Sequence, residues 1–205
     1  NADQRAAVLH DHETGCQLLI LAGAGSGKTS VLTKRIQYRI LCGVKPEKIL
    51  ALTFTAKAAA EMRERVQSLF PNAGVRLCTF HSLALYMLKC KVPCGGGADG
   101  LRGERYAYEM LGFKKMPVPA EAANRDFLQK LSKLNLKKQT LSRENLFADG
   151  YSAGMLAKLA PLQQEVLDSG QVVFEDLIYM AIRLLESFDD ARRFFHERWH
   201  EILVY

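Results

Sequence analysis

The sequence predicts an α/β fold in which a parallel β-sheet is covered by helices and followed by an all-helical segment. Between residues 1 and 90, short apolar runs alternate three times with stretches of helical periodicity, and such alternation is typical of parallel sheets. Between about residues 101 and 200 the apolar spacing is helical, without a convincing strand. A chain of 205 residues, 48% of them hydrophobic, can bury the core that this organisation needs.

The first strand–helix unit surrounds a glycine-rich run. Residues 18–21 are all apolar and predict a buried strand, while residues 29–41 predict a helix. Between them, residues 22–29 read Ala-Gly-Ala-Gly-Ser-Gly-Lys-Thr, which fits the phosphate-loop pattern with Ala22 in its first glycine position. A chance glycine-rich turn is the alternative, and the strand and helix on either side disfavour it.

The residue types of this run suit phosphate binding. Small residues allow a tight backbone curve whose N–H groups face phosphate oxygens, and the following helix directs its positive end at them. Lys28 can reach the β- and γ-phosphates, and the Thr29 hydroxyl can bind Mg²⁺. We therefore expect a nucleoside triphosphate site in which Lys28 and Thr29 are catalytic and Thr29 is the metal ligand. The residues expected to contact the nucleotide here are Ala22, Gly23, Ala24, Gly25, Ser26, Gly27, Lys28, Thr29 and Ser30.

Two further strand–helix units follow. Residues 49–54 predict a second strand, and residues 57–69 predict the helix after it. Residues 75–80 predict a third strand, followed by a helix over residues 82–89. Ligands of parallel sheets lie at the carboxyl ends of the strands. The glycine-rich run and the polar ends of both later strands all belong to that edge.

The pattern changes after residue 89. Residues 91–103 are rich in Gly and Pro and predict a mobile connection, whereas residues 201–205 predict another core strand. The chain is therefore expected to divide into a core over residues 1–90, an inserted helical segment over residues 91–172, and a return to the core over residues 173–205. The helices expected after the connection cover residues 102–111, 121–134, 152–168, 174–187 and 190–200.

Composition limits the class of protein. The net charge of +6 and a pI near 9.1 favour a polyanionic partner such as nucleic acid. From composition alone, a protein with such a partner and a protein without one are about equally expected. No apolar run approaches the length of a membrane span. Five cysteines are an odd number without a disulfide framework, which indicates a reducing, intracellular compartment. Cys90 and Cys94 have the spacing of half a metal site, but two ordinary thiols are favoured because no second pair follows.

Three segments resemble motifs of a known helicase family. Residues 1–8 read Asn-Ala-Asp-Gln-Arg-Ala-Ala-Val, residues 52–59 read Leu-Thr-Phe-Thr-Ala-Lys-Ala-Ala, and residues 78–83 read Cys-Thr-Phe-His-Ser-Leu. Together with the phosphate loop they resemble the first RecA-like domain of superfamily 1 DNA helicases of the UvrD/Rep/PcrA type. The resemblance is strong over residues 1–89 and returns over residues 173–204. It implies a P-loop NTPase (RecA-like) parallel sheet with an inserted all-helical subdomain.

The resemblance implies contacts with both nucleotide and DNA. It makes Gln4 the residue that recognises adenine, since an amide can pair with N6 and N7 of that base. Hydroxyls and helix N-termini bind DNA phosphates, and aromatic rings stack on bases. The residues that the resemblance assigns to single-stranded DNA are Thr53, Phe54, Thr55, Lys57, Thr79, Phe80, His81 and Ser82.

Three residues depart from the family pattern. Ser30 stands where many members have Arg, and Ala56 stands where many have Asn. Tyr205 follows the predicted last strand at the position of the first acid of an Asp-Glu pair, and in the family this pair serves Mg²⁺ and the attacking water. These departures bear on nucleotide, DNA and metal contacts.

The function implied by the resemblance is that of an N-terminal ATP-binding fragment of an ATP-dependent 3′–5′ DNA helicase, an ATP hydrolase of DNA repair. Its cofactors would be ATP and Mg²⁺, and its partners single-stranded DNA and a second RecA-like domain of the full-length protein. Because that second domain supplies arginines to the γ-phosphate, the fragment alone is expected to hydrolyse ATP poorly. Two alternatives stay open. One is a RecB-like helicase–nuclease subunit, and the other is a non-catalytic module that binds nucleotide and DNA, which Tyr205 favours.

Overall fold

The structure is a computed structural model, and it describes residues 1–10, 18–23, 25–71, 73–95, 103–119, 168, 170–172, 174 and 176–205. The chain divides into two compact units. One combines Asn1–Ser82 with Phe195–Tyr205, and the other is Leu83–Phe194. No helix in the described ranges is both long and apolar enough to cross a membrane.

Helices and strands alternate along the described chain, as the pattern of apolar residues predicts. The helices are α1 (Ala2–Leu9), α2 (Lys28–Leu41), α3 (Ala56–Gln67), α4 (Phe80–Lys89), α5 (Ala107–Met110), α6 (Asp176–Ser187) and α7 (Asp189–Arg198). The strands are β1 (Ile49–Thr53), β2 (Arg76–Thr79), β3 (Lys91–Cys94), β4 (Gly103–Tyr106), β5 (Val118–Pro119), β6 (Gln171–Val172) and β7 (Glu201–Val204). A 3₁₀ turn, Pro46–Lys48, leads into β1.

The first unit is built on a parallel sheet with the strand order β2-β1-β7. The central strand β1 is buried along its whole length, which explains its nearly continuous apolar sequence. Its last residue, Thr53, pairs with Thr79, and Leu52 pairs with Val204. The predicted parallel sheet is therefore confirmed, as is the strand predicted at the end of the chain.

Helices α2 and α3 cover this sheet. Their apolar residues recur at helical spacing, so that each helix has one buried face. Ile36 of α2 and Met62 of α3 are fully buried. The core that they form with the three strands consists of Leu32, Ile36, Ile49, Ala51, Met62, Val66, Leu77 and Leu203.

The strand predicted over residues 18–21 is wrong. This segment has no regular secondary structure, and Leu19 and Leu21 are 80% and 87% exposed. Both edges of the central strand β1 are occupied, by β2 and by β7. An apolar run forms a strand only when it has a partner strand to complete its backbone hydrogen bonds, and no strand among the described residues pairs with this run.

The helix predicted over residues 102–111 is also wrong in its first half. Strand β4 pairs antiparallel with β3, with Lys91 opposite Tyr106, and only α5 is helical. The Glu109 carboxylate accepts a hydrogen bond from the Tyr106 backbone N–H at 3.2 Å, so that the helix begins after Tyr106. The preceding residues pair with a strand that lies beyond a Gly-rich segment, and helical periodicity does not reveal such a pairing.

The second unit contains strands where the sequence predicted none, namely β3 with β4 and the short parallel pair β5 with β6. Helices α6 and α7 confirm the helices predicted over residues 174–187 and 190–200, with slightly shifted ends. The helices predicted over residues 121–134 and 152–168 lie outside the described residues, apart from residue 168. Cys90 and Cys94 form no disulfide within the described part of the chain, and that they are ordinary thiols stays a prediction.

Candidate functional site

A cleft of about 740 Å³ opens in the first unit at the start of α2. Its walls come from α1, from the segment that leads into α2, and from the carboxyl ends of β1 and β7. The residues that line it include Gln4, Ala22, Ser26, Lys28, Phe54 and Tyr205. The predicted phosphate loop and the predicted adenine contact are thus brought together around one cavity.

Two glycines give the loop its shape. Gly25 and Gly27 have φ angles of +74° and +83°, a left-handed conformation that side chains other than glycine rarely adopt. Gly27 is also the N-cap of α2, and a Cβ atom there would lie 2.9 Å from Nε2 of Gln4. Both the turn and the close approach of Gln4 therefore require glycine at this position. Ala24 lies outside the described residues, and Ala22 and Gly23 are exposed.

Lys28 folds back over the loop. Its Nζ donates to the carbonyl oxygens of Ala22 and Gly23 at 3.1 and 2.7 Å, and Ser26 Oγ donates to the Gly23 oxygen at 2.7 Å. The first turn of α2 contains no acidic residue, and no side chain caps its amides. The positive end of the helix and the Lys28 ammonium therefore point to the same place, an arrangement that favours an anion.

Gln4 connects α1 to the loop. Its Nε2 donates to the Ser26 carbonyl oxygen at 2.8 Å, and its Oε1 accepts from the Asn1 amino group at 3.2 Å. The Gln4 backbone N–H in turn donates to the Asn1 side chain at 2.8 Å, which completes a capping box at the start of α1. The amide stands within the cleft, as its predicted role requires, and adenine recognition stays a prediction.

Arg35 holds α1 in place, and sequence reasoning missed it. The guanidinium Nη1 donates to the carbonyl oxygens of Ala7, Val8 and His10 at distances from 2.8 to 3.2 Å, and the residue is only 4% exposed. A cation at the carboxyl end of α1 satisfies carbonyls that the helix itself leaves open. A signal was present in the sequence, since Arg35 lies four residues after Val31 and directly before Ile36, among the apolar residues that α2 buries.

Thr29 meets Tyr205, one of the residues that line the cleft. The Thr29 hydroxyl donates to the phenol oxygen of Tyr205 at 2.9 Å. Tyr205 is positioned by its backbone N–H, which donates to the Leu52 carbonyl oxygen at 2.8 Å and so continues the pairing of β7 with β1. The hydroxyl that was predicted to bind Mg²⁺ thus has the phenol group of Tyr205 as its neighbour. Ser30, the next residue of α2, is half-buried.

The residues predicted to bind DNA lie at the paired ends of β1 and β2 and directly after them. Thr53 is fully buried, and its hydroxyl donates to the Thr55 carbonyl oxygen at 2.8 Å. Thr55 is the N-cap of α3 and accepts from the Ala58 backbone N–H at 3.2 Å. Phe54 between them is 84% exposed, and Lys57 is also exposed. The structure therefore presents Phe54 and Lys57 to solvent and uses Thr53 within the turn.

The corresponding residues after β2 form a second helix start. Thr79 Oγ1 accepts from the Ser82 backbone N–H at 3.2 Å and donates to Ser82 Oγ at 3.0 Å. Phe80 and His81 are half-buried, and Ser82 is exposed. Because Thr53 and Thr79 are partners in the sheet, the two helix starts lie side by side at one edge.

Comparison with known proteins agrees with this arrangement. The family model for the UvrD/REP helicase N-terminal domain matches residues 1–204. The chain is 32% identical over its whole length to ATP-dependent DNA helicase UvrD1 of Mycobacterium leprae, of which it spans 28%. It is 50% identical over 45% of its length to a probable DNA helicase II homolog of Rickettsia conorii, of which the match covers 14%. It is 47% identical over 43% of its length to ATP-dependent DNA helicase SRS2 of Saccharomyces cerevisiae, of which the match covers 8%. With its parallel sheet and phosphate loop, the chain belongs to the UvrD/REP helicase N-terminal domain family.

Proposed function

We propose that this chain is the ATP-binding part of an ATP-dependent DNA helicase that moves 3′ to 5′ on single-stranded DNA. The observation that carries the proposal is the cleft in which Lys28 and the uncapped start of α2 face the same space. Family membership supports it, and two of the relatives are named ATP-dependent DNA helicases. The chain spans 28% of the Mycobacterium leprae relative, so a second RecA-like domain elsewhere in the full protein belongs to the proposal.

The nucleotide phosphates would replace the carbonyl oxygens that now accept from Lys28. The Nζ group has two such acceptors within the loop, at Ala22 and Gly23. A phosphate oxygen carries a full negative charge, so the new hydrogen bonds would be shorter and stronger than those to a carbonyl. The first amides of α2, at Lys28, Thr29 and Ser30, would add donors, because no side chain uses them as a cap. We propose these groups, with Gly25 and Gly27 shaping the loop, as the triphosphate site.

We propose that Gln4 reads the adenine base. Gln4→Ala is expected to abolish the preference of the chain for ATP over GTP, because an amide can pair with adenine at N6 and N7. Triphosphate binding should remain, since Lys28 is unchanged. Competition of ATP and GTP against a fluorescent nucleotide measures the preference. Gln67→Ala, at the end of α3, is the matched control. A Gln4→Ala protein that still prefers ATP as strongly as wild type would place base recognition elsewhere.

We further propose that single-stranded DNA crosses the sheet edge formed by Phe54, Thr55 and Lys57 after β1 and by the corresponding residues after β2. What supports this is exposure and position: Phe54 is 84% exposed, although large apolar side chains are usually buried. Lys57 and Ser82 are exposed beside the two helix starts. Thr79, Phe80 and His81 would shape the second half of the path. Thr53 is buried, so it would position Thr55 through its hydrogen bond and would not itself contact the DNA.

Phe54→Ala is expected to weaken binding of a single-stranded oligonucleotide by about tenfold, since stacking of one base contributes roughly 1–3 kcal/mol. Stacking needs no particular base, so the loss should be similar for different sequences. Fluorescence anisotropy at low salt measures it, and Leu69→Ala removes another exposed apolar side chain as a control. If the Phe54→Ala protein still binds ATP and has the same affinity for the oligonucleotide as wild type, the DNA does not contact Phe54.

A non-catalytic module that binds nucleotide and DNA is the second candidate function. The contact between Thr29 and Tyr205 favours it, because a phenol takes the place beside Thr29 where metal-assisted hydrolysis calls for a carboxylate. Both candidates share the same nucleotide site and differ in turnover. Measurement of ATP hydrolysis by the full-length protein on single-stranded DNA distinguishes them: DNA-stimulated hydrolysis supports the helicase, and its absence with normal ATP binding supports the module.

A further inference from the structure

One face of helix α1 forms part of the cleft wall. Asp3, Gln4 and Ala7 all line the cleft. Residues three and four positions apart lie on the same side of a helix, so Ala7 shares its face with the other two. Asp3 belongs to the first turn of α1 and is exposed. Helix α1 therefore brings a carboxylate into the same wall as the Gln4 amide.

This face is held toward the cleft at both ends of α1. Near the end of the helix, the buried guanidinium of Arg35 donates to three carbonyl oxygens. Near its start, Gln4 Nε2 donates to the Ser26 carbonyl oxygen at 2.8 Å. Because Asp3 directly precedes Gln4 in the helix, a rotation that removed Asp3 from the wall would break the Gln4 bond. The position of Asp3 is thus fixed by the same contacts that hold α1 against the loop.

The chemistry of a carboxylate restricts which part of a nucleotide Asp3 can contact. An ionised carboxylate only accepts hydrogen bonds. Ionised phosphates offer no donor, and their negative charge would be repelled. The remaining donors of an adenine nucleotide are the N6 amine of the base, which the proposed site gives to Gln4, and the hydroxyls of the sugar. A carboxylate accepts from a ribose hydroxyl in this way in dinucleotide-binding folds.

We infer that the Asp3 carboxylate accepts a hydrogen bond from a ribose hydroxyl, either the 2′ or the 3′, and that Asp3 determines the specificity of the cleft for the sugar of the nucleotide. The inference rests on the proposed nucleotide site. An acid in the first turn also stabilises a helix. That structural role would change the stability of α1 and would leave the choice between sugars unchanged, so sugar preference is the property to measure.

The test compares the binding of ADP, 2′-deoxy-ADP and 3′-deoxy-ADP by calorimetry in excess Mg²⁺. The wild-type chain should bind at least one of the two deoxynucleotides about fivefold more weakly than ADP, since a hydrogen bond to a charged group is stronger than one between neutral groups. The deoxynucleotide that loses affinity identifies the hydroxyl. Asp3→Ala should bind all three nucleotides alike. Glu64→Ala removes an exposed acid of α3, changes the net charge equally and should keep the wild-type preference.

The outcomes separate this inference from the proposed function. A wild-type chain that binds all three nucleotides equally well overturns the inference and leaves the nucleotide site intact. An Asp3→Ala protein that keeps the wild-type sugar preference also overturns it, because the sugar would then be recognised elsewhere. Asp3→Leu, which likewise has no acceptor oxygen, is the second variant should Asp3→Ala fail to fold, and the wild-type comparison needs no variant. No binding of ADP by the wild-type chain would refute the proposed function and this inference with it.

Discussion

Lys28→Ala is expected to lower the affinity of the chain for ADP by about tenfold or more, because each charge-assisted hydrogen bond contributes roughly 1.5–3 kcal/mol. The Lys28 ammonium stands over the loop and already binds two of its carbonyl oxygens. Among the described residues that line the cleft, Lys28 is the one that carries a side-chain cation, and the substitution removes it. Calorimetric titration with ADP at constant ionic strength measures the loss.

Lys34→Ala is the matched control for this experiment. Lys34 lies on the same helix, α2, and is exposed, so the two variants change the net charge equally. The hydrogen bonds of Lys28 lie at an exposed site, so its removal should leave the thermal stability of the unliganded chain nearly unchanged. If Lys28→Ala and Lys34→Ala bind ADP equally well, the phosphates do not lie over this loop.

Arg35→Met is expected to lower the free energy of unfolding by about 2–4 kcal/mol, since it removes a buried, charged donor from several carbonyl acceptors. Met keeps an unbranched apolar stem of similar length, so the loss should come mainly from the hydrogen bonds. Three carbonyl oxygens, those of Ala7, Val8 and His10, lose their guanidinium donor together. Urea unfolding followed by circular dichroism measures the change, with Arg65→Met on the exposed side of α3 as control.

The same change should also weaken ADP binding, although Arg35 is not among the residues that line the cleft. Arg35 fixes the end of α1, and α1 carries Gln4, whose amide binds the Ser26 carbonyl oxygen of the loop at 2.8 Å. Loss of the Arg35 bonds therefore releases one wall of the cleft. A protein as stable as wild type after Arg35→Met would show that α1 is held by its other contacts with α2.

The parts of the fold that local sequence determines were predictable. Strand β1 is apolar from Ile49 to Leu52 and buried throughout, and β7 is apolar from Ile202 to Val204, although only Leu203 of these three is buried. Gly25 and Gly27 mark a turn that needs positive φ angles, and the sequence pattern identified both. In each case the structural requirement acts within a few neighbouring residues.

The parts that depend on distant partners were not predictable in the same way. Residues 18–21 have the composition of a buried strand, yet Leu21 is 87% exposed, and none of the strands that the structure describes pairs with this segment. Strand β4 forms only through its pairing with β3. The contact of Thr29 with Tyr205 joins residues that are 176 positions apart, so no spacing rule reveals it. Helical periodicity reports the direction of side chains, and it does not report which segments meet.

The most direct measurement of the nucleotide site is a titration of the ¹⁵N-labelled chain with ADP, followed by its backbone amide resonances. If the phosphates bind at the start of α2, the amides of Gly25, Gly27 and Lys28 should shift together, with one common dissociation constant that Lys28→Ala weakens. Amides of the β3–β4 hairpin in the other unit should stay in place. ADP-dependent shifts that leave the three loop amides unmoved would contradict a phosphate site at this helix start.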